Sequence, residues 1–129
     1  MELKAGIKNS NEVTVTEDMT AATAGSGGQP VYSTPHMVAL MESTAWASVE
    51  PCMQDGMTTV GTHLDIAHLS ASPVGAHVKC ESELVEVDGR RLVFKVSASD
   101  DAGPIGEGTH ERFIINIEKF MARTEAKLK

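Results

Sequence analysis

The sequence predicts an α+β fold in which one long helix lies against an antiparallel sheet of about five strands. Three observations carry this. One uninterrupted run of helix formers, Pro35 to Val49, is opened by Thr34-Pro35 and closed by Pro51. Four later segments alternate apolar and polar residues with period two. Between them stand short turn signals, of which Asp88-Gly89 is the strongest. The length of 129 residues suits one domain, and residues 1–129 are read as one.

In chain order, Glu12-Val13-Thr14-Val15-Thr16 alternates as a short strand. Asp18 to Gln29 is dense in small residues and reads as one helical turn followed by the loop Gly25-Ser26-Gly27-Gly28. A plain linker and a mobile flap both fit that loop. The helix follows, with Thr34 as its expected N-cap and Pro35 at its first position. On a 3.6-residue period Val38, Glu42, Ala45, Trp46 and Val49 share a face. A carboxylate in that company loses hydration and calls for a partner.

Met57 to Leu69 is the next strand, with Val60, Leu64, Ile66 and His68 on one side. Ser70 to Gly75 is a turn. His77 to Val87 and a strand carrying Leu92, Phe94, Val96 and Ala98 are joined through Asp88-Gly89. Asp101-Ala102-Gly103-Pro104 turns into a last strand, about Ile105 to Ile117, with Phe113, Ile115 and Ile117 on one face. Glu118 to Lys127 is a charged tail with the makings of a short helix. The helix carries apolar residues on more than one side (Met37, Val38, Leu40, Met41, Ala45, Trp46), so the sheet must curve around it. That is the description of a hotdog fold.

A formal net charge of −7, few aromatics and no basic tract argue against nucleic acid as a partner. No apolar run is long enough to span a bilayer, and Met1 to Asn11 is too polar for a secretory signal. Cys52 and Cys80 stand far apart and read as free thiols in a reducing cytoplasm. His63 and His68 differ in strand parity, and none of the five histidines has zinc-like spacing, so no metal is expected.

Three residues invite chemistry, and each has a plain structural explanation beside it. Glu42 is a candidate catalytic carboxylate or a helix glutamate paired with an arginine at a subunit edge. His68 is a candidate base near Glu42 or a core-edge histidine bonded to backbone. For Thr34, N-capping is a sufficient job. Eight residues of helical rise separate Thr34 from Glu42 by roughly 12 Å. They can share a site only if Thr34 folds back or two protomers contribute.

Thr34-Pro35, Glu42, Gly61, His68, Ser72-Pro73-Val74-Gly75 and Arg112 stand in the order and spacing of the fluoroacetyl-CoA thioesterase-like family of hotdog proteins, which the chain resembles over about residues 12 to 120. The resemblance implies an acyl-CoA thioesterase acting on a small or medium acyl group, with Thr34, Glu42 and His68 as the catalytic set. It places Gly61 where backbone approaches the acyl group and Arg112 beside the thioester pocket. Arg112, with Lys79, Arg90 or Lys95, is a further candidate for the CoA phosphates. The resemblance implies a homodimer with sites near the subunit interface, and no cofactor apart from the coenzyme A of the substrate. The fluoroacetyl-specific member carries bulky aromatic lid residues where this chain has Gly25 to Gly28, so thioester hydrolysis is implied without fluoroacetyl selectivity. A non-catalytic acyl-CoA-binding hotdog module and a hotdog enoyl-CoA hydratase or dehydratase are the competing readings.

Overall fold

The structure is a computed structural model describing residues 1–129. Its elements are β1 (Lys8–Thr14), a 3-10 turn (Glu17–Met19), α1 (Ala21–Ala24), α2 (Thr34–Val49), a 3-10 turn (Glu50–Cys52), β2 (Met57–His68), β3 (His77–Asp88), β4 (Arg91–Asp100), β5 (Gly103–Asn116) and α3 (Ile117–Ala126). The strands form one antiparallel sheet in the order β1-β3-β4-β5-β2, curved around α2. The α+β hotdog architecture expected from the sequence is what the chain adopts.

The core is built from α2 and the sheet's concave face. Met37, Leu40, Met41, Ala45 and Val49 of the helix are buried against Leu84, Leu92, Phe94, Val96, Ala98 and Ile105. The alternation read along β4 is therefore the true core pattern. The Asp88-Gly89 hairpin also forms, with Asp88 opposite Arg91 and Gly89 at φ +62°.

Several expectations are corrected. The first strand begins at Lys8 rather than Glu12 because β1 is an edge strand. Its polar residues pair with β3 from Lys8↔Glu83 to Thr14↔His77 without an apolar face to announce them. The helix face proposed above splits. Ala45 and Val49 are fully buried, Val38 and Glu42 are half-buried, and Trp46 is 43% exposed. The sheet covers one side of α2 and leaves the other open, so an apolar side chain on this helix does not mark the core.

Ser70 to Gly75 is not a hairpin turn between neighbours. β2 pairs with β5, and this segment crosses from one sheet edge toward the other. It is anchored by the Tyr32 N–H donating to the Ser72 carbonyl (2.8 Å) and by the buried Ser72 hydroxyl donating to Asp100 Oδ2 (2.7 Å).

A β-bulge lies between Gly61 and His63. The extra residue reverses side-chain parity, so Thr59 and Gly61 share the helix-facing side with Leu64, Ile66 and His68, while Val60 points outward with its partner Phe113. On β5 the expected apolar face of Phe113, Ile115 and Ile117 is the outer one. Phe113 is 39% exposed, and the inner side carries Gly106, Gly108, His110, Arg112 and Ile114. Two of these are polar and buried.

Candidate active site

The cap of α2 decides what Thr34 can do. The buried Ser33 accepts the His36 N–H through its hydroxyl (3.1 Å) and is the N-cap. Thr34 is the first residue of the helix instead, which corrects the expected capping role and leaves its hydroxyl available. That hydroxyl lies 2.7 Å from Nδ1 of His68, the last residue of β2. Burial holds the His68 pKa below its ordinary 6.5, against an opposing backbone hydrogen bond at Ser70, so the imidazole is neutral at pH 7. Thr34 and His68 line a cavity of about 300 Å³ with Val31, Tyr32, Leu69 and, from the glycine-rich loop, Ser26.

Glu42 stands elsewhere on the helix. It shares an open cavity of about 370 Å³ with Ala39, Ser43, Trp46 and Arg112. Its Oε2 lies 3.9 Å from Arg112 Nη1, with Arg112 only 8% exposed and Glu42 39% exposed at the side chain. The carboxylate is thus neither orphaned nor enclosed. It sits at the mouth of a buried cation, which is the partner its place on the helix called for.

The guanidinium is held from below. Arg112 Nε donates to Thr59 Oγ1 (2.8 Å), Nη2 to the Thr59 carbonyl (2.9 Å), and Nη1 to His110 Nε2 (3.1 Å). Burial lowers the Arg112 pKa and Glu42 opposes that, yet a guanidinium this basic stays charged. Arg112 is buried to its guanidinium and reaches the surface only through the cavity it shares with Glu42. Lys79, Arg90 and Lys95 are solvent-exposed.

Gly61 is explained by the same cluster. A Cβ there would stand 2.9 Å from Glu42 Oε2, 3.2 Å from His110 Cε1 and 3.4 Å from Arg112 Nη1. The bare backbone leaves the space the carboxylate occupies.

Within one protomer the sequence candidates therefore form two groups. Thr34 and His68 are together; Glu42, Gly61 and Arg112 are together; the two cavities share no residue. Thr34 begins a regular helix, so it does not fold back toward Glu42. His110 escaped the sequence reading. The only hint was its spacing: Gly106, Gly108, His110 and Arg112 occupy every second position, a row that looks solvent-facing by residue type but lies on the helix-facing side of the sheet.

Comparison with known proteins supplies independent information. The family described as fluoroacetyl-CoA-specific thioesterase matches residues 15–118. A fluoroacetyl-CoA thioesterase from Streptantibioticus cattleyicolor is 41% identical over 97 residues, spanning 75% of this chain and 70% of that protein. A structure of the fluoroacetyl-CoA thioesterase FlK superposes with a TM-score of 0.92 at 32% identity, covering 98% of each chain. A thioesterase superfamily member from Thermus thermophilus superposes with a TM-score of 0.88 at 27% identity, covering 95% of this chain and 91% of that one.

Proposed function

The chain belongs to the fluoroacetyl-CoA-specific thioesterase family of thioester hydrolases, and from that premise we propose that it hydrolyses a small or medium acyl-CoA to the free acid and coenzyme A. The reaction needs no cofactor beyond the coenzyme A of the substrate, and the setting is the cytoplasm. Glu42 is the residue on which the chemistry turns. The observation that carries this is its ionised partner: a buried guanidinium fixed by Thr59 and His110, 3.9 Å from the carboxylate. Glu42 either attacks the thioester carbonyl, expelling thiolate and leaving a mixed anhydride, or takes a proton from the water that attacks it. Where Glu42 is the nucleophile, His68, neutral and held by Thr34, accepts a proton from the water that opens the anhydride and returns it to the thiolate. Where Glu42 is the base, Glu42 itself passes the water's proton to the thiolate and His68 orients the carboxylate.

The active unit in this reading is a homodimer. Thr34 and Glu42 are too far apart on one helix to flank one thioester, so a second copy supplies the missing half. Strand β2 is an unpaired edge of 12 residues, and its helix-facing Leu64 is still 42% exposed. Such an edge is a template for pairing. An antiparallel register centred near the middle of this edge brings the His68 end of one copy alongside the Gly61 end of the other. This register brings the Thr34–His68 pair to the Glu42–Arg112 pair twice, once at each end.

A second reading makes the Thr34 hydroxyl the nucleophile and His68 its base. Its support is the 2.7 Å contact, the arrangement an activated hydroxyl requires. Free-thiol release measured across a panel of acyl-CoAs tests the reading, with mass analysis of protein quenched during the first turnovers. Thiol release that falls by several orders of magnitude in Glu42→Ala, without acylated Thr34, is the expected result. Binding without thiol release would leave an acyl-CoA-binding module, and hydration of an enoyl-CoA would make it a hydratase. An acyl group on Thr34 would transfer the nucleophile to the hydroxyl.

A further inference from the structure

His110 is fully buried between β2 and β4, stacked on Phe94 with ring centroids 6.2 Å apart. Its two nitrogens face neighbours that permit one arrangement only. Nδ1 lies 2.9 Å from the His63 carbonyl, which can only accept, so Nδ1 carries the proton. Nε2 lies 3.1 Å from Arg112 Nη1, which can only donate, so Nε2 must offer its lone pair. An imidazolium would set an N–H against the guanidinium N–H. Burial acts in the same direction, holding the pKa of His110 below 6.5; the backbone bond to His63 opposes it, and the Arg112 charge reinforces it.

The guanidinium therefore has three fixed acceptors beneath it, Thr59 Oγ1, the Thr59 carbonyl and His110 Nε2, and one open direction, toward Glu42. Thr59 grips Nε and Nη2, the side away from the carboxylate. His110 alone holds Nη1, the nitrogen nearest Glu42. We propose that His110 is a positioning residue for the reaction: through its Nε2 lone pair it fixes the orientation of Arg112, and through Arg112 the place of the Glu42 carboxylate. The proposal rests on the reading of Glu42 as the catalytic carboxylate.

Two substitutions separate the ring's two bonds. His110→Gln can place an amide oxygen near the Nε2 position and keep an acceptor for Arg112. His110→Asn matches the Nδ1 position instead, keeping the donor to His63 and losing the acceptor. If His110 positions Arg112, Asn lowers kcat by roughly 10- to 100-fold with KM within about threefold, and Gln restores kcat to within about fivefold of wild type. Equal loss in both variants, tracking their melting temperatures, would reduce His110 to a packing residue. So would full kcat in Asn. Nitrogen-15 NMR of the wild-type protein is a readout independent of activity and of variant folding. It should show the Nδ1–H tautomer at pH 7 and slow solvent exchange of the Arg112 side-chain N–H groups. An Nε2–H tautomer or a charged ring at pH 7 overturns the proposal. Wild-type protein that releases no thiol, with the NMR result intact, overturns the thioesterase reading and leaves the positioning of Arg112 standing.

Discussion

Gly61→Ala offers a test in which activity and stability part company. The added methyl would stand 2.9 Å from Glu42 Oε2, whereas ordinary contact begins at 3.4 Å, so the carboxylate must retreat by about 0.5 Å. Glu42 is the flexible end of a half-exposed side chain and can make that move cheaply. Gly61 has no left-handed φ for alanine to resist, and replacing a strand glycine recovers roughly 0.5–1 kcal/mol of backbone entropy. The tight 3.2 Å approach to His110 Cε1 offsets part of that gain. Stability should stay within about 1 kcal/mol of wild type, a shift of roughly 4 °C in Tm. Turnover should not be spared. Displacing a reacting group by a fraction of an ångström from its working position is expected to cost about 10- to 100-fold in kcat. Thiol release and thermal melting measured on the same preparation give both numbers. Because the shortest approach of the methyl is to the carboxylate and turnover is lost through Glu42, Gly61→Ala should add little to the kcat loss of Glu42→Ala. Wild-type kcat in the single variant, or losses that multiply in the double variant, would refute the placement of Glu42 at the reacting centre.

Four further outcomes are expected. Thr34→Ser should keep turnover within about tenfold and Thr34→Ala lose far more, while Ser33→Ala should lower stability by about 1 kcal/mol, as loss of an N-cap does; melting curves and thiol release divide the two roles. Co-expressed His68→Ala and Glu42→Ala chains should recover roughly a quarter of wild-type activity, since half the dimers are mixed and each mixed dimer holds one intact site; no recovery would place the whole site in one protomer. The kcat–pH profile should reach the midpoint of its acidic limb below pH 6.5, because His68 must be neutral to accept a proton and burial lowers its pKa. The buried neutral histidines carry the same sign into stability: their contribution is complete above pH 6.5 and is lost as pH falls through their lowered folded values. Melting temperatures between pH 7 and 5 check this, and stability rising on acidification would contradict it.

Local periodicity determined much of this protein. The Pro35-to-Val49 helix, its stop at Pro51, the Asp88-Gly89 hairpin and the buried row of Leu92, Phe94, Val96 and Ala98 all follow from residues within a few positions of one another. So does the separation of Thr34 from Glu42, which is helix geometry and nothing more. Apart from the helix cap, which is local, the errors share one cause, in that each depended on a partner distant in the chain. Ser33 caps the helix in place of Thr34 in a stretch where both residue types suit the position. The bulge after Gly61 reverses the parity of β2 because β5 pairs with two unequal halves of it. His110 and Arg112 look like surface residues by type, and only their place on the helix-facing side of the curved sheet buries them. The sequence by itself determined which elements form and which residues could do chemistry. The tertiary structure decided which of them meet, because a buried arginine, its histidine and threonine acceptors and the carboxylate at its mouth come from three elements that no local pattern connects.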